Sequence, residues 1–166
     1  MDRIQARAIL DEMIENPSLH RHCRTVGMVM EAYAKKLGED PDEWYITGIL
    51  HDADYEKYPS EHPNIIVQKL RDMGEEKIAH AISAHYTKWK VPYNTLLDKA
   101  LLACDELTSF IIAAAQIRPT KLEGLSAKSV KKKFKNPKFV AGVERDEVMA
   151  GVEMMGVDFT EHINFR

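Results

Sequence analysis

The sequence predicts an all-α fold, and three observations carry the prediction. Apolar residues recur at spacings of three and four along most of the chain. Helix-starting residues and Gly or Pro breakers punctuate those stretches at regular intervals. No segment sustains the apolar/polar alternation of a half-buried strand. At 166 residues the chain has the size of one ordinary domain.

The elements follow in order. A first helix fits residues from about 2 to 15, with Ile4, Ala8, Ile9 and Met13 on one face and Asn16-Pro17 as its stop. A second runs from about Ser18 to Leu37 and stops at Gly38. Asp40 followed by Pro41 is an N-cap and first-turn pair, so a third helix starts there and carries Trp44, Ile46, Ile49 and Leu50 toward His51. After the "YPSEHP" break, Ile65, Ile66, Leu70 and Met73 form the stripe of a fourth helix closed by Gly74. A fifth covers Glu75 to about Ala84, and a sixth, capped by Asn94, runs to about Gln116. Short helices are expected at about 126 to 134 and from Pro137 to about Met155, with a last turn capped by Asp158 and Glu161.

Composition narrows the function classes. A chain that is 45% hydrophobic and 30% charged is of the soluble globular type, and no run approaches the roughly 18 apolar residues of a membrane span. The N-terminus lacks the apolar block of a secretory signal, so a cytoplasmic location is expected. Cys23 and Cys104 stand alone, without metal-ligand spacing. The net charge of -3 argues against general nucleic-acid binding, although seven lysines face one acid, Glu123, between Lys121 and Lys138. That lysine-rich segment is either a solvated helix face or an electropositive rim that steers anionic substrates. The methionines Met149, Met154 and Met155 suit a dimer contact as readily as a core.

The chemistry lies in titratable residues that share a helical face with apolar ones. His22 is followed by Val26, Val29 and Tyr33 at helical spacing and points inward, while His20 falls about 200° away around the helix. Ile78, Ile82 and His85 make one stripe. Asp105 sits on the stripe Leu97, Leu101, Thr108 and Ile112, and His51-Asp52 directly follows Ile49 and Leu50. A buried carboxylate needs a cation to stay charged, and no inward Lys or Arg is evident. A divalent metal held by His22, His51, Asp52 and Asp105 resolves all four burdens together, and two imidazoles with two carboxylates suit Mn, Fe, Co, Ni, Zn or Mg. Such a metal lowers the pKa of a water and polarises a phosphoryl oxygen, which is hydrolytic chemistry. His20, His80 and His162 are read as surface residues, and Asp54, Glu56 and Lys57 as either solvated or cleft-lining.

The segments "LHRHCRTV", "GILHDADYE" and "ACDEL" resemble the H…HD…D pattern of the HD-domain superfamily of metal-dependent phosphohydrolases. Further stretches, "HDADYEKYPSEHP", "SAHY" and "ACDELTSFI" among them, resemble the small predicted HD hydrolases of bacteria and archaea, and the likeness covers nearly the whole chain. The resemblance implies a single-domain HD helical bundle over 1–166, with a metal-binding core at about 18–116 and a helical extension at about 125–166. It implies that His22, His51, Asp52 and Asp105 ligate one ion. It puts His62 and His85 where two-metal members carry further histidines, with Asp52 bridging, so the expected cofactor is one or two divalent ions. The expected substrate is a phosphomonoester or phosphodiester of a nucleotide-like small molecule. Asp52 is the expected catalytic residue, joined by Lys57 as proton carrier or phosphate contact and by Arg118 and Lys121 as phosphate contacts. Two departures stand out: Tyr55 replaces the lysine of the "HDIGK" form, and the "GYP" element of cyclic-dinucleotide phosphodiesterases is absent. A non-hydrolytic nucleotide- or metal-binding module and a diiron oxygen-activating protein are the alternative readings.

Overall fold

The computed structural model describes residues 1–165, and these are all-α, with nine α-helices, one 3₁₀ turn and no strand among the described residues. The chain divides into two compact units, residues 1–101 and 102–166.

The first unit begins with α1 (Arg3–Met13), where Asp2 and Gln5 exchange the two hydrogen bonds of a capping box. Its buried face is Ala6, Ile9, Leu10 and Met13, whereas Ile4 is exposed and Ala8 faces solvent, so the inward stripe is rotated from the sequence expectation. Arg3 explains the rotation. Its guanidinium lies 4.3 Å from the Tyr45 ring, bonds Asp42 Oδ1 at 2.6 Å and meets Glu31 at 3.1 Å, which fixes the side of the helix that faces the bundle.

The helix α2 (Pro17–Leu37) is capped by Asn16, whose side chain accepts from Ser18 N and Leu19 N, and closes on Gly38 at a φ of 72°. The helix α3 (Pro41–Leu50) is buried at every position from Trp44 to Leu50, which marks it as the central helix of this unit. The two cross at a glycine pair. A Cβ on Gly48 would sit 2.5 Å from Gly27 Cα, so only glycine permits this approach. Then come α4 (Asn64–Asp72), α5 (Glu76–His85), a 3₁₀ turn at Thr87–Trp89 and the start of α6 (Leu96–Gln116). The cap of α6 is Thr95 rather than Asn94: Thr95 Oγ1 accepts from Asp98 N, and the Asp98 carboxylate accepts from the backbone N–H groups of Thr95 and Asn94. His80 is half-buried, not a plain surface residue, because its Nε2 reaches Pro92 O at 2.9 Å and Asp98 Oδ2 at 3.3 Å.

The second unit packs the rest of α6 with α7 (Ala127–Phe134), α8 (Arg145–Met155) and α9 (Phe159–Asn164) around Leu107, Phe110, Val130, Phe134, Val148 and Ile163. The helix expected from Pro137 begins only at Arg145. The Arg145 guanidinium donates to the carbonyls of Phe134, Asn136, Phe139, Val140 and Val143 and stacks over Phe110 and Phe134, consuming acceptors that a helix through this stretch would need. His162, expected at the surface, is fully buried and donates to Ala103 O at 2.8 Å. No helix among the described residues is long and apolar enough to cross a membrane.

Glu31 supplies a pH-dependent tie in the first unit. Hydrogen bonds from Arg3 and Lys35 pull its carboxyl from 4.5 down to about 2. A depressed folded-state pKa stabilises the fold above about 4.5, and that contribution is lost as pH falls toward 2. Urea titrations across that window are expected to show a shallower acid loss for Glu31→Gln than for the wild type.

Candidate metal centre

The centre is built where α2 and α3 come together. His22 lies on the inward face of α2, one turn before Val26. His51 is the C-cap of α3, fully buried, and Asp52 follows it in a run of tight turns. The helix register of α3 therefore aims the doublet into the interior. His22 Nε2 lies 3.2 Å from His51 Nε2, and Asp52 Oδ2 lies 3.2 Å from His51 Nε2 and 3.7 Å from His22 Nε2.

A second set meets the other oxygen of the same carboxylate. Asp52 Oδ1 lies 3.3 Å from His62 Nε2 and 3.5 Å from His85 Nε2. Asp52, His62 and His85 thus form one candidate donor group, and Asp52 also belongs to the group of His22 and His51.

The far side of each ring shows which nitrogen is offered. His51 Nδ1 donates to Gly48 O at 2.6 Å, and His85 Nδ1 donates to Ile82 O. His62 Nδ1 bonds the Asp54 carboxylate at 2.6 Å. With the Nδ1 side of each ring engaged in that bond, Nε2 is the nitrogen turned toward Asp52. Burial raises the Asp52 carboxyl pKa, but the charge and hydrogen bonds of His51 and those of His85 outweigh it and hold the group well below the usual carboxylate range. Imidazole nitrogens and an ionised carboxylate gathered this closely need protons or a cation between them. The donor chemistry fits a divalent ion.

Other expected site residues fall as follows. Asp105 is half-buried on α6, one turn beyond Leu101, and belongs to the second unit. Lys57 is exposed and donates to Glu12 O at 2.7 Å. Arg118 Nη1 donates to Lys121 O at 3.0 Å and Lys121 Nζ to Gln116 O at 3.2 Å, so both brace their own loop. Glu56 accepts from the backbone of Glu15 and Asn16. Asp54 is neither solvated nor cleft-lining: fully buried, it accepts from Ile66 N at 3.0 Å while orienting His62. Its spacing of three from His51 was the available signal, since a carboxylate so close to an inward histidine on a tight turn shares its interior direction.

No curated protein and no solved structure matches the chain. The HD domain family model matches residues 19–115, a span that begins three residues before His22, holds the His51-Asp52 doublet, His62 and His85, and ends ten residues past Asp105. On that match, which covers more than half of its length, the chain belongs to the HD-domain family.

Proposed function

We propose that the protein is a metal-dependent phosphohydrolase acting in the cytoplasm on a phosphomonoester or phosphodiester of a nucleotide-like small molecule. The observation that carries this reading is the convergence of four buried or half-buried imidazole Nε2 atoms on one ionised carboxylate, Asp52, within 3.7 Å. His22, His51 and Asp52 would hold one ion, and His62 and His85 would share Asp52 in holding a second. Bound there, a divalent ion supplies Lewis acidity toward a phosphoryl oxygen and lowers the pKa of a water toward neutrality.

The chain's own part is to fix the donors. Gly48 O and Ile82 O hold the tautomers of His51 and His85, and Asp54 does the same for His62. Each such outer bond makes its imidazole a better ligand and prevents ring rotation. The depressed pKa of Asp52 keeps both oxygens ionised at neutral pH. Recruiting Lys57, Arg118 or Lys121 to a phosphate means exchanging a main-chain hydrogen bond for the substrate, which suits them to auxiliary contacts.

The test combines elemental analysis of the purified protein with a panel of nucleotides and sugar phosphates assayed with Mn, Fe, Co, Ni, Zn and Mg. Metal-dependent release of phosphate or of an alcohol, abolished by chelation and by His51→Ala, is expected. A fully loaded protein that cleaves nothing while a control enzyme cleaves the panel overturns the reading. The five-residue cluster about Asp52 also suits two irons, so iron dependence accompanied by oxygen consumption would instead identify an oxidative enzyme.

A further inference from the structure

The end of α5 carries aromatic rings outward from the donor cluster. His85 ends the helix, and the next residues wind into the 3₁₀ turn at Thr87–Trp89, closed by Lys90 with a left-handed φ of 53°. His62, whose Nε2 faces Asp52, is met edge to face by two tyrosines: Tyr55 at 5.4 Å and Tyr86 at 5.8 Å between ring centroids. Tyr86 in turn meets Trp89 at 5.8 Å, again nearly perpendicular. The Lys88 ammonium lies 5.9 Å from the Tyr86 ring.

Trp89 is 40% exposed and Tyr55 51%, while the other tryptophan of the chain, Trp44, is fully buried. A single exposed aromatic residue is ordinary. A ladder of them starting at a candidate metal ligand is a directed feature, because it leads from the polar donors to an indole that is 40% exposed. Two ring-to-ring steps separate His62 from Trp89.

We propose that Trp89, braced by Tyr86, is the platform on which the planar base of the substrate stacks while its phosphate lies at the Asp52 cluster, so that the protein selects nucleotides over sugar phosphates. The phosphate half of this statement rests on the phosphohydrolase reading; the stacking half rests on the ring geometry alone. An indole face accepts any base, because every base has a π face, so the platform gives selection for the class rather than for one base. A sugar phosphate has no ring to offer it.

Tryptophan fluorescence reads this without turnover. Trp44 is buried, so quenching by a ligand reports Trp89. Metal-free protein titrated with AMP and with UMP is expected to lose fluorescence saturably, and titrated with ribose phosphate to lose none; Trp89→Phe removes the quenchable signal. In metal-loaded protein, Trp89→Ala is expected to lower the ratio of kcat/KM for AMP over ribose phosphate by about tenfold, with Trp89→Phe retaining most of the preference. Circular dichroism checks that both variants fold. Quenching by AMP without hydrolysis of any phosphoester would uphold the platform and sink the phosphohydrolase reading. Hydrolysis of AMP and ribose phosphate in the same ratio by wild type and Trp89→Ala, with no quenching, would overturn the platform and leave the phosphohydrolase reading standing. Absence of both quenching and hydrolysis would overturn the platform as well.

Discussion

Replacing Asp52 by asparagine is expected to strip the protein of bound metal at both donor groups while leaving the fold intact. The carboxylate is the one residue common to both groups: Oδ2 faces His51 and His22, and Oδ1 faces His62 and His85. Asparagine keeps the shape and removes the charge. Its amide N–H donates to an Nε2 lone pair, so the metal-free variant is expected to melt at or above the temperature of the metal-free wild type. Metal affinity and phosphoester turnover are expected to fall by more than the about 10–100-fold that loss of an outer-shell partner costs. Asp54→Ala is the comparator, because Asp54 touches only His62 in the cluster and its loss weakens one donor group. Elemental analysis and calorimetric metal titration of the two variants separate these outcomes. An Asp52→Asn protein with undiminished metal content would remove the basis of the proposed centre.

The inward direction of His22, His51 and Asp52 was legible because each sits on or directly beside a helix whose apolar period is unambiguous. His22 shares its face with Val26, Val29 and Tyr33, all buried, and α3 is buried all round from Trp44 to Leu50, directly before His51. His85 was legible from Ile78 and Ile82 for the same reason, and it too is buried. What the period could not supply was the identity of long-range partners. Asp54 looks like a loop carboxylate until His62 and Ile66 N are seen beside it. His162 looks like a surface residue of a terminal turn, but its acceptor, Ala103 O, lies 59 positions earlier in the chain.

Element boundaries failed where a side chain from elsewhere claimed the backbone. The Asn136-Pro137 start signal is genuine as local chemistry, and Asn136 Oδ1 does accept from Lys138 N. Arg145 then collects the carbonyls that follow and delays the helix to its own position. In α1 the apolar period alone favoured a face containing Ile4, and the ties of Arg3 to Tyr45, Asp42 and Glu31 turned the helix away from it. The aromatic ladder went unread because its members come from two separate segments, Tyr55 and His62 before α4 and Tyr86 and Trp89 after α5, whose meeting depends on α4 and α5 packing.

Gly48→Ala is expected to be the most damaging single-methyl change in the first unit, and to damage the metal centre with it. The added Cβ would lie 2.5 Å from Gly27 Cα, 2.7 Å from Gly27 N and 2.9 Å from Val26 C. All three are backbone atoms, so no rotamer change relieves the clash and α2 must move away from α3. Overpacking of that kind costs about 3 kcal/mol or more, the upper end of its usual range, because rigid backbone supplies the obstruction. Separation also acts on chemistry. His22 rides on α2 and His51 ends α3, so widening the crossing stretches the 3.2 Å between their Nε2 atoms, and Gly48 O is the acceptor that holds His51 Nδ1. Urea unfolding of metal-free Gly48→Ala reads the packing cost, and metal affinity measured well below the unfolding transition reads the displacement of the donors. Gly142→Ala is the control, since a Cβ there meets nothing within 4 Å. If Gly48→Ala matched Gly142→Ala in both stability and metal affinity, the close crossing of α2 and α3 would not be what sets the donor spacing.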